Sequence, residues 1–352
     1  GLIAALIFIG WVVPRWLSGS LRFSEGMTPL AVFALYALAL TFGRFLLGED
    51  VFYKSANPFR QAVSASLTLI VGLIFYLAAF SYSQSATRLR FALRVINWSG
   101  AAVLAWTLLQ AFFWYTYHSY PAWLREIQSF VSVGTLFRQR FVGFTLEPSW
   151  LAHQLNLLYL PWWLAAVVRN TTAHGNFRRG RLTVELVLLG FGALVLFLTL
   201  SRVGLFAFLL VLGVYVVRHL LWGGKGSFRS RWKRLVWVLI GALLIGLGIL
   251  WALTKLDYRM RELFQLELAG RSDTLEFVAE KLSLASRFVY WEAGWRVFMD
   301  APVFGVGLGQ AGFQLPDQMS PYALTLVEVR DLIFRSDTVL NIKSFWLRLL
   351  AG

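Results

Sequence analysis

The sequence predicts an all-α membrane protein, a polytopic transmembrane helical bundle with one large extracytoplasmic helical loop. Three observations carry that prediction. The chain of 352 residues is 58% hydrophobic and only 14% charged, with a mean hydropathy of +0.63, whereas water-soluble domains carry roughly 25% charge. Its apolar residues gather in runs close to the roughly 20 residues that a bilayer crossing requires. Its basic residues are abundant in every second loop between those runs, the pattern that fixes orientation in a membrane. The 16 Trp and 30 Phe suit the same solvent, since aromatic rings collect at the membrane–water interface.

Eight spans are expected: Gly1–Val13, Leu30–Leu47, Ala62–Tyr82, Arg94–Tyr117, Trp150–Val168, Thr183–Leu200, Val203–Leu221 and Leu235–Thr254. The first reads as truncated, because Gly1 opens inside an apolar run, and a further helix reads as starting, and cut, within 345–352. The expected division is therefore a transmembrane region over 1–254, a large loop over 255–344 and the start of another span over 345–352. One alternating set of loops holds fifteen Lys and Arg against seven in the other. The richer set, with "RNTTAHGNFRRGR" and "RHLLWGGKGSFRSRWKR", is expected in the cytoplasm. Arg202 then falls in a tight outer turn, and 255–344 lies outside the membrane. Within that loop, "YRMRELFQLELAGRSDTLEFVAEKL" and "SRFVYWEAGWRVFMDAP" show helical spacing. The second is closed by Asp300 and Pro302, and "GVGLGQAG" follows as a glycine-rich turn.

The net charge of +15 would suggest nucleic acid in a soluble protein. In a membrane protein it points instead to loop bias, to anionic lipid, or to an anionic substrate such as a lipid-linked diphosphate. No nucleic-acid partner is expected. With no cysteine, disulfides, thiolate nucleophiles and zinc–thiolate sites are excluded. The four histidines (His118, His153, His174, His219) divide between the two faces without a ligand spacing, so neither metal nor cofactor is expected. "GVGLGQAG" lacks the dinucleotide fingerprint and reads as a turn whose backbone approaches something closely. The Asn170 sequon falls in a loop assigned to the cytoplasm and is set aside.

Two readings stand for Arg202 in "TLSRVG": an interfacial arginine that snorkels, or a guanidinium whose paired N–H groups suit a phosphate. Glu147, in "GFTLEPSWLAHQLNLLYLPWW", stands before Pro148 at the outer mouth of the fifth span. It either caps that helix against the dipole or exchanges a proton with a sugar hydroxyl. His153, six residues on, falls roughly opposite Glu147 on a helix and reads as packing. Arg138 and Arg140 lie on the same outer side, and Arg287 lies in the large loop close to Trp291. Several arginines around one acidic mouth make a basin for an anionic head group.

Three stretches resemble the O-antigen ligase and O-antigen polymerase superfamily of bacterial envelope glycosyltransferases. "LTLSRVGLFAFLLVL" resembles its Ser-Arg-x-Gly turn between two helices. "RFVGFTLEPSWLAHQLNLLYLP" is similar to its Gly-Phe-x-x-x-Pro-x-x-x-Ala segment. "SRFVYWEAGWRVFMDAPVFGVGLGQ" is similar to its loop pattern Arg-x-x-x-Trp…Pro-x-x-Gly-x-Gly-x-Gly. The resemblance implies a GT-C-like fold in the bacterial inner membrane, with the active site facing the periplasm. It implies a metal-independent, inverting transfer from a glycan on undecaprenyl diphosphate to a glycan or lipid-linked acceptor. Arg202 and Arg287 match the family's diphosphate-binding arginines. With Glu147 they form the expected catalytic set, and Ser201, Arg140, Arg138, Trp291, Asn341 and Lys343 the expected substrate-binding set.

Ligases of this superfamily carry a His-Asn pair near the end of the large loop. "LNIKSFWLRLLAG" has Asn341 and Lys343 instead, which favours an O-antigen or exopolysaccharide polymerase, with a chain-length regulator protein as a further partner beside the membrane lipids. A ligase acting on lipid A core is the alternative within the superfamily. Outside it stand a GT-C sugar transferase using a lipid-monophosphate sugar, with the first outer loop's Glu49–Asp50 as its metal-binding acids, a lipid-linked glycan flippase, and an envelope scaffold.

Overall fold

The computed structural model describes residues 2–21, 23–46, 53–132, 135–175, 182–222 and 285–352, together with 241, 246, 248 and 251. Most of the expected span Leu235–Thr254, the Glu49–Asp50 pair, the stretch 258–282, Arg178, Arg179 and Arg181, and most of the second basic loop lie outside the described residues. The protein is an all-α polytopic membrane protein, with no strand among the described residues.

Helix α1 (Leu2–Leu17) contains a π turn at Phe8–Val12. It is followed by α2 (Met27–Leu46), α3 (Pro58–Tyr82) and α4 (Ala86–Tyr117). After a short amphipathic helix α5 (Ala122–Val131) come α6 (Pro148–Val168), α7 (Val184–Leu198) and α8 (Arg202–Trp222). The polar segment supplies α9 (Ala285–Asp300), α10 (Ala311–Gln318), α11 (Val327–Phe334) and α12 (Phe345–Ala351). Helices α2, α3, α4 and α6 are long and apolar enough to cross a bilayer, and α1, α7 and the Arg202–Tyr215 part of α8 are shorter apolar helices. Together they coincide with the first seven expected spans.

Local chemistry sets the helix starts. Asn57 accepts the Arg60 N–H at 3.0 Å ahead of Pro58, and Thr183 accepts the Leu186 N–H at 3.2 Å, the usual way of satisfying a first-turn donor. The outward-facing surface is apolar: α3 fully buries only Pro58, Ala62, Ser66 and Ser81 and leaves Phe59, Leu67, Ile70 and Phe75 exposed. That inversion of the water-soluble pattern is what lipid as solvent demands, and small residues then carry the helix contacts.

The chain forms two compact units, Gly1–Ser85 with Glu267–Gly352, and Ala86–Leu266. In the second, Trp163 of α6 is fully buried between α4 and α7. A Cβ at Gly100 would lie 2.5 Å from its ring, and one at Gly192 would lie 2.8 Å away. The Trp163 and Trp162 indole N–H groups both donate to Asn97 Oδ1 at 2.9 Å. Asn97 Nδ2 in turn donates to the buried Glu185 at 2.9 Å. The same Glu185 oxygen takes the Ala173 N–H at 2.9 Å, so one polar node ties α4, α6, α7 and a loop.

In the first unit, α9 packs against α10 and α12 around Val289, Tyr290, Val297, Leu315 and Ile342. The glycine-rich turn then seats this layer on α2 and α3. Leu308 N–H donates to Thr41 Oγ1 at 2.8 Å, Arg44 Nη1 to the Gly305 carbonyl at 2.7 Å and Gln310 Nε2 to the Pro58 carbonyl at 3.1 Å. Gly307 and Gly309 have φ of +95° and +75°, which only glycine adopts without strain. The surface that the turn approaches is therefore the protein's own membrane helices. Lys54, ahead of α3, donates to the Leu332 carbonyl of α11 at 2.9 Å.

Asn97→Ala removes the common acceptor of two indoles and one anchor of a buried carboxylate. It is expected to cost about 1–3 kcal/mol, read as a lowered thermal midpoint of the detergent-solubilised protein. An unchanged midpoint would show that the node is dispensable.

Candidate functional site

The turn between α7 and α8 concentrates the expected residues of the second unit. Leu200 takes a φ of +49°, which folds the chain back sharply. Ser201 is buried and its Oγ accepts the Gly204 N–H at 3.3 Å, so it is the N-cap of α8. Arg202 is the first helical residue and is half-buried. Its guanidinium thus springs from the positive end of a helix, where anions are favoured. Arg140 approaches from a different loop, its Nε donating to the Thr199 carbonyl at 3.4 Å. Two guanidinium-bearing residues, Arg140 and Arg202, and Ser201 therefore share one turn.

That loop is held from beneath. Gln110 of α4, fully buried, accepts the Val142 and Gly143 N–H groups at 3.3 and 3.1 Å and donates to the Gly143 carbonyl at 3.0 Å. Arg138 sits exposed in the bend just before. Glu147 occupies the N-cap position of α6, with Pro148 in the first turn, but its side chain makes no capping bond to the backbone. Its carboxylate instead accepts the Ser149 hydroxyl at 3.1 Å and stays exposed. The start of α6 is close to the start of α8: a Cβ on Gly204 would lie 2.5 Å from Ala152 Cβ, and Asn156 Nδ2 donates to the Gly204 carbonyl at 2.8 Å. His153 is exposed on that helix.

In the first unit, the structure gathers Arg287, Trp291, Asn341 and Lys343 around a residue that the sequence did not single out, Glu328. Lys343 Nζ pairs with Glu328 Oε1 at 2.5 Å and lies 4.6 Å above the Tyr290 ring. Ser286 Oγ donates to the other carboxylate oxygen at 2.8 Å. Trp291 Nε1 donates to the Lys343 carbonyl at 3.4 Å, and Asn341 Oδ1 accepts the Lys343 N–H at 3.1 Å, which holds Lys343 at its φ of +56°. Arg287 is exposed on α9. Burial pushes the Glu328 carboxyl up, but the Lys343 and Ser286 hydrogen bonds and the charges of Lys343 and Arg287 outweigh it and hold the group below its ordinary 4.5. Tyr290 is pushed up to about 12, first by burial and then by the charges of Glu328 and Tyr53. The missed residue carried one weak signal, a glutamate set between valines in "TLVEVRD". Among the described residues, no group of three or more His, Cys, Asp or Glu side chains comes together.

A carboxyl held low in the folded state contributes stability above its ordinary pKa and loses it as pH falls through the folded value. Glu328→Gln is therefore expected to melt below the parent at neutral pH, with the gap closing once pH drops below 4.5. A gap of constant size across pH would show that the pairing contributes nothing.

A comparison with curated proteins and one with solved structures each returned no match. A family model described as O-antigen ligase matches residues 186–331. That segment runs from the first turn of α7 through Ser201 and Arg202 to Arg287 and Glu328, and it supports a membrane enzyme of the glycosyltransferase kind. This match, added to the motifs and the all-α membrane fold, supports the resemblance of the chain to the O-antigen ligase and polymerase superfamily.

Proposed function

We propose that this protein is a glycosyltransferase of the bacterial inner membrane that joins undecaprenyl-diphosphate-linked oligosaccharide units at the periplasmic face, as an O-antigen or exopolysaccharide polymerase. The observation that carries the reading is the turn ahead of α8. A Ser201-capped helix start led by Arg202, with Arg140 fastened to the preceding carbonyl, is a place where a diphosphate finds donors and positive charge together.

In the proposed reaction, an acceptor hydroxyl attacks the anomeric carbon of the donor sugar from the face opposite the diphosphate. The bond to the diphosphate oxygen breaks as the new glycosidic bond forms, inverting the configuration. The leaving diphosphate keeps the bonding electron pair, and the charge it develops is met by Arg202. The resemblance assigns Arg287 to the same ligand. Fixed positive groups act here without reorganising during the reaction, so the proposed chemistry runs without a metal. The hydroxyl proton passes to Glu147, whose carboxylate is exposed and uncommitted to backbone capping. Ser201, Arg138, Trp291, Asn341 and Lys343 complete the proposed substrate contacts, and a chain-length regulator is the proposed protein partner.

A ligase reading has its own support in the description of the matching family. Against it stands the end of the polar segment, where Lys343, paired with Glu328, is found in place of a histidine. Deletion of the gene separates the two: single repeat units on the cell surface mean a polymerase, and a bare core with lipid-linked polymer retained means a ligase. Arg202→Lys keeps the charge and loses the two-pronged geometry. It is expected to lower polymer yield about 100-fold or more on gel analysis of surface glycan, and wild-type polymer in that variant would remove the diphosphate grip. For Glu147→Gln, turnover is expected to collapse at every pH, whereas a retained pH–rate profile would leave Glu147 no part in proton transfer.

A further inference from the structure

A cavity of about 510 Å³ lies in the second unit, lined among others by Tyr120, Arg125, Gln128, Ser129 and Ser132. Its volume falls within the range of roughly 300–1,000 Å³ of small-ligand sites. Its floor contains an amide whose orientation is dictated by its neighbours. Gln110 Oε1 accepts two backbone N–H groups, and a backbone N–H can only donate. Gln110 Nε2 must therefore be a donor, to the Gly143 carbonyl and to Gln128 Oε1, each at 3.0 Å. The Trp106 indole, also only a donor, reaches the same Gln128 oxygen at 2.9 Å. With both donors on its oxygen, Gln128 turns its NH2 the other way. That nitrogen is buried and has no hydrogen-bond partner in the protein, although the residue is only 1% exposed.

A chain of hydrogen bonds that runs in one direction thus ends in an unanswered donor. Burying such a group is unfavourable unless an acceptor is supplied. Arg125, exposed on the same helix and lining the same cavity, adds five more donors and no acceptor. In a cavity whose lining is otherwise mostly apolar, these two side chains ask for accepting oxygens. Two hydrogen bonds join the cavity wall to the loop bearing the candidate residues. Tyr120 Oη donates to the carbonyl of Phe137, next to Arg138, at 2.8 Å, and Ser132 Oγ donates to the Thr145 carbonyl, two residues before Glu147, at 3.1 Å.

We infer that this cavity is a sugar subsite, in which the Gln128 NH2 and the Arg125 guanidinium donate to hydroxyl, acetamido or carboxylate oxygens of the glycan being extended. The inference rests on the transferase reading for its choice of ligand, and it adds a substrate-recognition element that lies on α5, outside the segment matched by the family model.

The test uses the full chain in lipid nanodiscs and saturation-transfer NMR, with N-acetylglucosamine, rhamnose and glucuronate as the probes. At least one sugar is expected to receive saturation from the parent protein. That signal should fall about fivefold or more, the loss of one hydrogen bond, in both Gln128→Glu and Arg125→Ala. Gln128→Glu keeps the oxygen that Trp106 and Gln110 need while removing the donor, and Arg125 is exposed, so its loss leaves the fold intact. No transfer to any sugar, or transfer indifferent to both variants, overturns the subsite. So does a signal that disappears when phosphatidylglycerol replaces phosphatidylcholine, since the cavity would then take an anionic lipid headgroup in preference to a sugar. A polymer that survives gene deletion, with sugar transfer still dependent on Gln128, would sink the transferase reading and keep the subsite. Polymer lost on deletion, with no sugar transfer, would do the reverse.

Discussion

Close approach at side-chain-free positions is the constraint on which both units depend. Apolar side chains gain nothing by leaving lipid for another apolar helix, so the helices come together where backbones are allowed near one another. In the second unit this happens around Trp163, whose ring fills the space that a Cβ at Gly100 or Gly192 would take. The helix carrying Trp163 is the one that begins at Pro148 beside Glu147, and Gly192 lies on the helix that leads into the turn at Ser201. Fixing the tryptophan therefore fixes the register of both helices, and with it the distance between the acidic mouth and the arginine turn. The Asn97 node supplies direction to that contact, because two indole donors and one carboxylate meet a single amide.

The helices were largely legible because about 20 consecutive apolar residues have few other uses. Their ends were less so. Helix α4 begins at Ala86 rather than Arg94, since Arg88 and Arg90 extend the helix out of the apolar run. Helix α3 begins at Pro58 rather than Ala62, because the Asn57 cap lies five residues earlier. Neither π turn, Phe8–Val12 in α1 or Leu155–Tyr159 in α6, left a trace in the pattern of residue types, since a single wide turn leaves the apolar run unbroken. Helix α5 was not anticipated, being too short and too mixed for a span.

The candidate site divides in the same way. Arg202 was visible as a charge between two long apolar runs, and the charge asymmetry of the loops moved it to a turn. Ser201 as the cap and the neighbourhood of Arg140 follow from that turn. Glu328 and Gln110 were not legible, because their meaning comes from partners distant in sequence: Lys343 for the one, and the 142–143 backbone and Gln128 for the other. A lone glutamate in a mixed stretch and a lone glutamine near the end of a span carry no local mark. Only the fold tells a satisfied polar group from one left waiting.

The glycine turn of the polar segment has a consequence for how this protein is dissected by mutation. A Cβ on Gly307 would lie 3.3 Å from Thr41 Cα and one on Gly309 3.0 Å from Ala65 Cβ, both tight, and one on Gly312 would run into the Leu340 carbonyl. Each is a seam between the polar layer and a neighbour rather than a contact with a ligand. An inventory of inactivating substitutions would nevertheless rank these positions with the arginines, since a displaced layer carries Arg287 with it. Loss of activity and loss of seating would look alike in such an inventory. Only a readout of assembly would tell the hinge pins from the tools.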